Sequence, residues 1–243
     1  ALPGTVAAQT VPVPTPAPQA KTGQVPLPPS ASSRAPVSGP SIAQTIPGAK
    51  SPPIGNKPGD STVFDAQQRA LADRISGYLS SVKTMVGDFV QVGPDGSKTQ
   101  GQVYLQKPGR VRFEYAEPSP IELIADGSSV VVRDRKLATQ DLYPLSQTPL
   151  RFLLADKIDL LRDTTLIGIY SDDIFSTVVI EEKHAIAGTH KLMLMFSAQD
   201  LSLRQWTVTD PQGFDTTVAV YNLDTSKKPD PGLFKINYER VLQ

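Results

Sequence analysis

Gly101-Gln102-Val103-Tyr104-Leu105-Gln106-Lys107-Pro108-Gly109-Arg110-Val111-Arg112-Phe113-Glu114-Tyr115 is the stretch that decides the fold. Val103 and Leu105 alternate with Gln102 and Tyr104, and Val111, Phe113 and Tyr115 alternate with Arg110, Arg112 and Glu114. A period of two belongs to a strand with one face buried and the other wet. Lys107-Pro108-Gly109 between the two runs reads as a turn, so the stretch predicts a hairpin.

The same pattern repeats outward. Phe89 and Gln91 alternate with Val90 and Val92 before Gly93-Pro94-Asp95-Gly96. Ile121 and Leu123 precede Asp126-Gly127, Val130 and Val132 follow it, and a strand at about 138–142 ends at Pro144. Further strands are expected at about 164–171, 174–182, 190–198, 203–209 and 215–223, with a short one at about 234–239. Helices interrupt the strands twice. Thr62 and Asp65 have the spacing of a capping box, and Phe64, Leu71, Ile75, Tyr78, Leu79 and Val82 share one helical face over about 63–82. Thr148-Pro149 opens short apolar helices carrying Leu150, Phe152, Leu153, Leu154, Ile158, Leu160 and Leu161. The expected class is mainly β (α+β), with about eleven antiparallel strands. One long sheet of this kind must curl, close or split. The expected architecture is an unclosed antiparallel barrel with a helical lid.

Composition divides the chain. Fourteen of the 23 prolines and none of the 16 aromatic residues lie in residues 1–60, so that segment cannot bury enough apolar surface to offset its ordering entropy. It is expected to be a disordered extension with polyproline II character, either a tether or a poorly constrained addition. Residues 61–243 form the expected domain. The chain opens at Ala1, as a cleaved signal peptide or a trimmed chain would leave it. No run approaches the ~18 apolar residues of a membrane span. Formal net charge is zero and there is no basic face for phosphates, which argues against nucleic-acid binding. There is no cysteine, so disulfides and thiolate metal sites are excluded.

Catalytic and metal motifs are scarce. His184 and His190 flank Ala185-Ile186-Ala187-Gly188-Thr189 and read as a hairpin loop. Glu181 and Glu182 are the nearby acids, and adjacent strand residues point to opposite faces, which is poor geometry for zinc. Asp172-Asp173 is better explained by a turn than by acid–base work. There is no Gly-x-Ser-x-Gly elbow, phosphate loop or dinucleotide fingerprint. The expectation is no enzyme, no cofactor and no metal. The conspicuous supply is apolar: Met85, Met193, Met195, Phe89, Phe113, Tyr115, Phe152, Phe196 and Trp206. Such residues serve a ligand cavity or an ordinary core, and composition does not separate the two.

Taken in order, Phe89-Val90-Gln91, the 101–115 stretch, Pro118 and Asp126-Gly127 resemble the LolA family of periplasmic lipoprotein carriers. So do Pro144-Leu145 to Thr148-Pro149-Leu150, Arg204-Gln205-Trp206-Thr207-Val208-Thr209-Asp210 with Gly213, and Leu233-Phe234. The resemblance covers about residues 63–240. It implies a helical lid over an apolar cavity that accepts lipoprotein acyl chains. Cargo would come from an inner-membrane lipoprotein-releasing ABC transporter and pass to an outer-membrane acceptor, without a cofactor. It also implies a periplasmic, monomeric protein. The family often has Arg where Lys107 stands before Pro108, in the position of a lid latch. Lysine supplies a point charge without the planar fork.

On this reading, alternation sets Phe89, Val103, Leu105, Val111, Phe113, Ile121, Leu123, Val130 and Val132 on the lipid-binding face. Phe152 and Leu153 face them, and Leu71 and Ile75 belong to the lid. Alternative readings are a periplasmic lipid or lipoprotein sensor regulating a protein partner, or a shuttle for another glycolipid.

Overall fold

The computed structural model describes residues 63–184 and 188–238, all within the second of the two units into which the chain divides, Asn56–Gln243. The expected disordered extension at 1–60 lies outside the described residues, as do Thr62 and residues 185–187 between the two histidines.

Helix α1 spans Ala66–Ser81. Its cap is Asp65 rather than Thr62. The Asp65 carboxylate accepts from the Gln68 amide at 2.8 Å, and the Gln68 side-chain oxygen accepts from the Asp65 amide at 3.0 Å. This reciprocal box satisfies two of the orphan donors of the first turn. Ala72, Ile75 and Leu79 are buried along one face, with Leu71 and Tyr78 packed beside them.

Among the described residues, eleven strands form one antiparallel sheet. The first meander is β1 Thr84–Val92, β2 Lys98–Gln106, β3 Arg110–Tyr115, β4 Ile121–Asp126, β5 Ser129–Asp134 and β6 Thr139–Pro144. The second is β7 Thr165–Ser171, β8 Phe175–His184, β9 Gly188–Ser197, β10 Leu203–Thr209 and β11 Asp215–Asp224. β1 pairs with β11, which joins the two meanders and leaves β6 and β7 as the sheet's edges. Consecutive in sequence, these edges are connected by a 3₁₀ turn at Leu145–Gln147 and two short helices, α2 Leu150–Leu154 and α3 Leu160–Asp163. The lid segment is thus the connection between the two edges of an unclosed barrel.

The curl can be read from one contact. Phe113 on β3 and Trp206 on β10 lie four strand spacings apart, roughly 19 Å on a flat sheet. Their ring centroids are 6.0 Å apart, edge to face. The sheet has therefore wrapped its apolar face inward. Gly101 helps strands β2 and β3 approach, because a Cβ there would stand 2.0 Å from the Glu114 carbonyl oxygen.

The outer face differs from expectation near the C-terminus. No strand is present over the described part of 234–239. Asp230 accepts from the Gly232 amide at 2.8 Å and starts a 3₁₀ turn at Pro231–Phe234, which contacts β3 and β4. Phe234 is buried. Arg112 donates to the Leu233 carbonyl at 3.2 Å and pairs with Glu122 at 2.6 Å, and Arg133 pairs with the same Glu122 at 3.1 Å. A packed turn uses up the alternation of Phe234, Ile236 and Tyr238 that reads as a strand.

Candidate functional site

The inner face carries one continuous apolar cluster. Phe89, Val103, Leu105, Val111, Phe113 and Val130 are buried in it, with Phe152, Leu153 and Ile75 from the helices. Leu71, Ile121 and Leu123 are partly buried against it. Val132, the cross-strand partner of Leu123, is half-buried and stands outside the packed cluster. Met193 and Met195 also stand outside it. Leu192, Leu194 and Phe196 take the inward positions of β9, so both methionines belong to the other face.

Within the cluster is a cavity of about 30 Å³. Of the residues expected on the binding face, Val103, Leu105, Val111, Phe113 and Leu153 line it, with Lys107 at the turn. Tyr78, Leu79 and Val82 from α1 and its end, Met85 from β1, and Leu150 and Leu154 from α2 complete the wall with Leu203 and Trp206. Three of these have a physical reason for escaping a reading by alternation. β1 begins at Thr84, five residues before Phe89, so Met85 joins the inward set Met85, Gly87, Phe89. In β10 the register shifts between Leu203 and Gln205, which lets Leu203 and Trp206 face the same side. The space would hold about two water-sized molecules, far less than an acyl chain. The apolar face is filled by its own lid.

Lys107 sits where the lid meets the sheet. Its Nζ donates to the Leu79 carbonyl, its amide donates to the Lys83 carbonyl at 2.8 Å, and the Gly109 amide donates to the Leu154 carbonyl at 2.9 Å. Leu79 and Leu154 lie in the last turns of α1 and α2, where carbonyls lack intrahelical partners. One turn of the sheet thus closes both helix ends. A cation beside the end of α1 also complements its dipole. Burial pushes the Lys107 ammonium down to about 8. Neighbouring Lys83 acts in the same direction, and Asp156 opposes them. Gly109 has φ +75°, and a Cβ there would meet Gly127 Cα at 2.7 Å, so this turn needs glycine. Around the cavity the polar groups are few: Tyr115 hydrogen-bonds Gln91 at 2.7 Å, and burial pushes its phenol up to about 12.

α2 has a second side. Arg151 and Phe152 line a polar cleft of about 470 Å³ with α3, the start of β7 and the end of β8. Glu182 is buried on the inner face of β8, two residues beyond the core residue Ile180, and pairs with Arg151 at 2.6 Å. The Arg151 guanidinium lies 4.3 Å from the Phe152 ring centroid.

The remaining polar motifs are structural where they are described. Asp172 accepts from the amides of Ile174 and Phe175 at 2.8 and 2.7 Å, a turn role. His190 lies in β9 opposite Glu182. Among the described residues, no cluster of three metal-ligating side chains occurs, and no helix is long and apolar enough to cross a membrane.

Comparison with known proteins places these features in a family. The family described as outer membrane lipoprotein carrier protein LolA matches residues 80–237. An outer-membrane lipoprotein carrier protein from Methylococcus capsulatus is 25% identical over 173 residues, covering 68% of this chain and 82% of the relative. A second, from Methylobacillus flagellatus, is 28% identical over 137 residues, 53% of this chain and 67% of the relative. Among solved structures, a LolA superfamily protein from Nitrosomonas europaea aligns with TM-score 0.39 at 12% identity, over 72% of this chain and all (100%) of that one.

Proposed function

The chain belongs to the LolA family of outer membrane lipoprotein carriers, and on that premise we propose that it is a periplasmic carrier that shelters the acyl chains of lipoproteins against its inner face. The observation that carries this reading is the wall between α2 and the sheet. Fourteen side chains line that cavity, and Lys107 is the one charged group among them. The cargo face comprises Phe89, Val103, Leu105, Val111, Phe113, Ile121, Leu123, Val130 and Val132, with Phe152 and Leu153 opposite and Leu71 and Ile75 on the lid. The mechanism is displacement. Opening the lid frees the inner face, and acyl chains replace the lid's own side chains on it. Burial is worth ~0.8 kcal/mol per methylene, so a chain of roughly a dozen gains about 10 kcal/mol gross. The exposed lid offsets much of this, which keeps the cargo transferable.

Lys107 acts as the latch. It holds the end of α1 by one charge-assisted bond, where an arginine would offer a fork. Cargo is delivered by an inner-membrane lipoprotein-releasing ABC transporter and received by an outer-membrane acceptor. The protein itself works as a monomer, without a cofactor and without catalysis. Displacement of a fluorescent acyl probe by an acylated peptide tests the reading. The expected result is micromolar or tighter binding that Val111→Glu and Phe113→Glu abolish. A parent protein that takes up no probe, or variants indistinguishable from it, would contradict the proposal.

A further inference from the structure

We infer that the polar cleft behind α2 is a second subsite, which takes the peptide segment following the acylated residue of the cargo. The inference rests on the carrier reading above. It starts from the two sides of one five-residue helix. Leu150, Leu153 and Leu154 line the apolar cavity, and Arg151 and Phe152 line the cleft. β8 passes from core to cleft. Along the inner face of β8, Val178 and Ile180 belong to the apolar core and Glu182 belongs to the cleft. A molecule with an apolar end in the cavity and a polar end in the cleft would straddle α2. Acylated peptides have that composition.

Size, charge and shape narrow the occupant. At about 470 Å³ the cleft has the volume of an ordinary ligand pocket. Its three cations are each matched by an acid: Arg151 with Glu182 at 2.6 Å, Arg162 with Asp163 at 2.9 Å, and Lys183 with Glu181 at 3.0 Å. A phosphate headgroup calls for surplus cationic donors, and this cleft has no surplus. Paired charges and exposed hydroxyls suit neutral amides instead. One wall of the cleft is strand: Glu181, Glu182 and Lys183 of β8 line it. β7 begins at Thr165 opposite Glu181, and β8 runs on to His184. A wall of strand backbone matches an extended peptide segment.

The test fills the cleft without touching the apolar wall. Ser146 and Thr165 are exposed on its rim, so a Ser146→Trp/Thr165→Trp variant of the full chain blocks it. Three ligands are compared: a triacylated cysteinyl peptide amide with neutral side chains, the corresponding free fatty acid, and lysophosphatidylglycerol. Losing one or two hydrogen bonds predicts an affinity for the lipopeptide about tenfold lower in the blocked variant. Fatty acid and lysophosphatidylglycerol should bind both proteins alike. Removing the peptide from the ligand, leaving the acylated cysteine amide, should cost the parent the same factor and the variant nothing. Equal lipopeptide affinity in parent and variant overturns the subsite. A loss for lysophosphatidylglycerol as large as for lipopeptide overturns its assignment to peptide. An equal loss for the fatty acid reassigns the effect to lid damage and overturns it too. If the parent binds none of the three, the carrier reading fails first and the subsite fails with it.

Discussion

The two sides of α2 differ in almost every respect. The apolar side encloses about 30 Å³ and the polar side about 470 Å³, although the same short helix walls both. Side chains that leave water pack until little space remains, because voids forfeit contacts on every side. Charged side chains pair along the walls and keep contact with water, so a polar cleft stands open. The space that is available in the closed protein is therefore not the space proposed for the acyl chains. On the proposed function, an apolar binding face is stored as a packed core between lid and sheet.

This contrast is sharpened first by charge placed on either side of the helix. A carboxylate on the apolar wall costs several kcal/mol, so Leu153→Glu should weaken acyl-probe binding by at least about a hundredfold. Arg162→Ala, on the exposed rim of the cleft, should leave it unchanged; equal losses in both variants would erase the distinction. Next comes the sheet beneath the cavity. Gly101→Val drives a Cβ toward the Glu114 carbonyl and should lower unfolding stability by about 3 kcal/mol, read from chemical denaturation.

Smaller effects belong to Lys107, the proposed latch. Lys107→Met leaves the Leu79 carbonyl without its donor, a loss of about 1–3 kcal/mol for a buried acceptor. Hydrogen exchange should speed up over the last turn of α1 and over α2, with the strands unaffected. Lys107→Arg should restore protection. The pH dependence has a definite sign. Lys107 titrates near 8 with the lid closed and near its ordinary 10.5 where water reaches it. The open form then holds the proton more tightly, so closure gains as pH rises from about 8 to 10.5, and below about 8 the dependence ends. Probe uptake should slow between pH 8 and 10 in the parent and stay flat in Lys107→Met. Last, Lys83 and Asp156 form an exposed pair at 2.7 Å, and Lys83→Ala should change stability by less than about 1 kcal/mol.

The legible parts of this molecule are those whose chemistry is local. Val103, Leu105, Val111 and Phe113 read inward from a period of two, and the β2–β3 register pairs them as a hairpin would: Val103 with Phe113, Leu105 with Val111. Helix α1 is legible from its apolar face, though its cap is one box later than Thr62 suggests, because Gln68 completes the pair with Asp65. Irregular strands are not legible. In β1 Gly87 stands between Met85 and Phe89 on the inward face, so the apolar alternation is interrupted and Met85 is hidden. The register shift in β10 does the same to Leu203 and Trp206. Phe234, Ile236 and Tyr238 mimic a strand, and only Asp230 and Pro231 mark the turn that replaces it. Contacts between distant segments are beyond any local pattern. Arg151 and Glu182 are ordinary charges in sequence, and folding brings them to 2.6 Å in the cleft behind α2.

The central claim is that the packed inner face is exchanged for acyl chains. It is tested most directly by mass spectrometry of ligand extracted from the protein purified from a periplasmic fraction, in parallel with Leu153→Glu. The account predicts acylated lipoprotein with the parent and none with the variant. A parent that carries no acylated species, or the same species at the same level on both proteins, would contradict it.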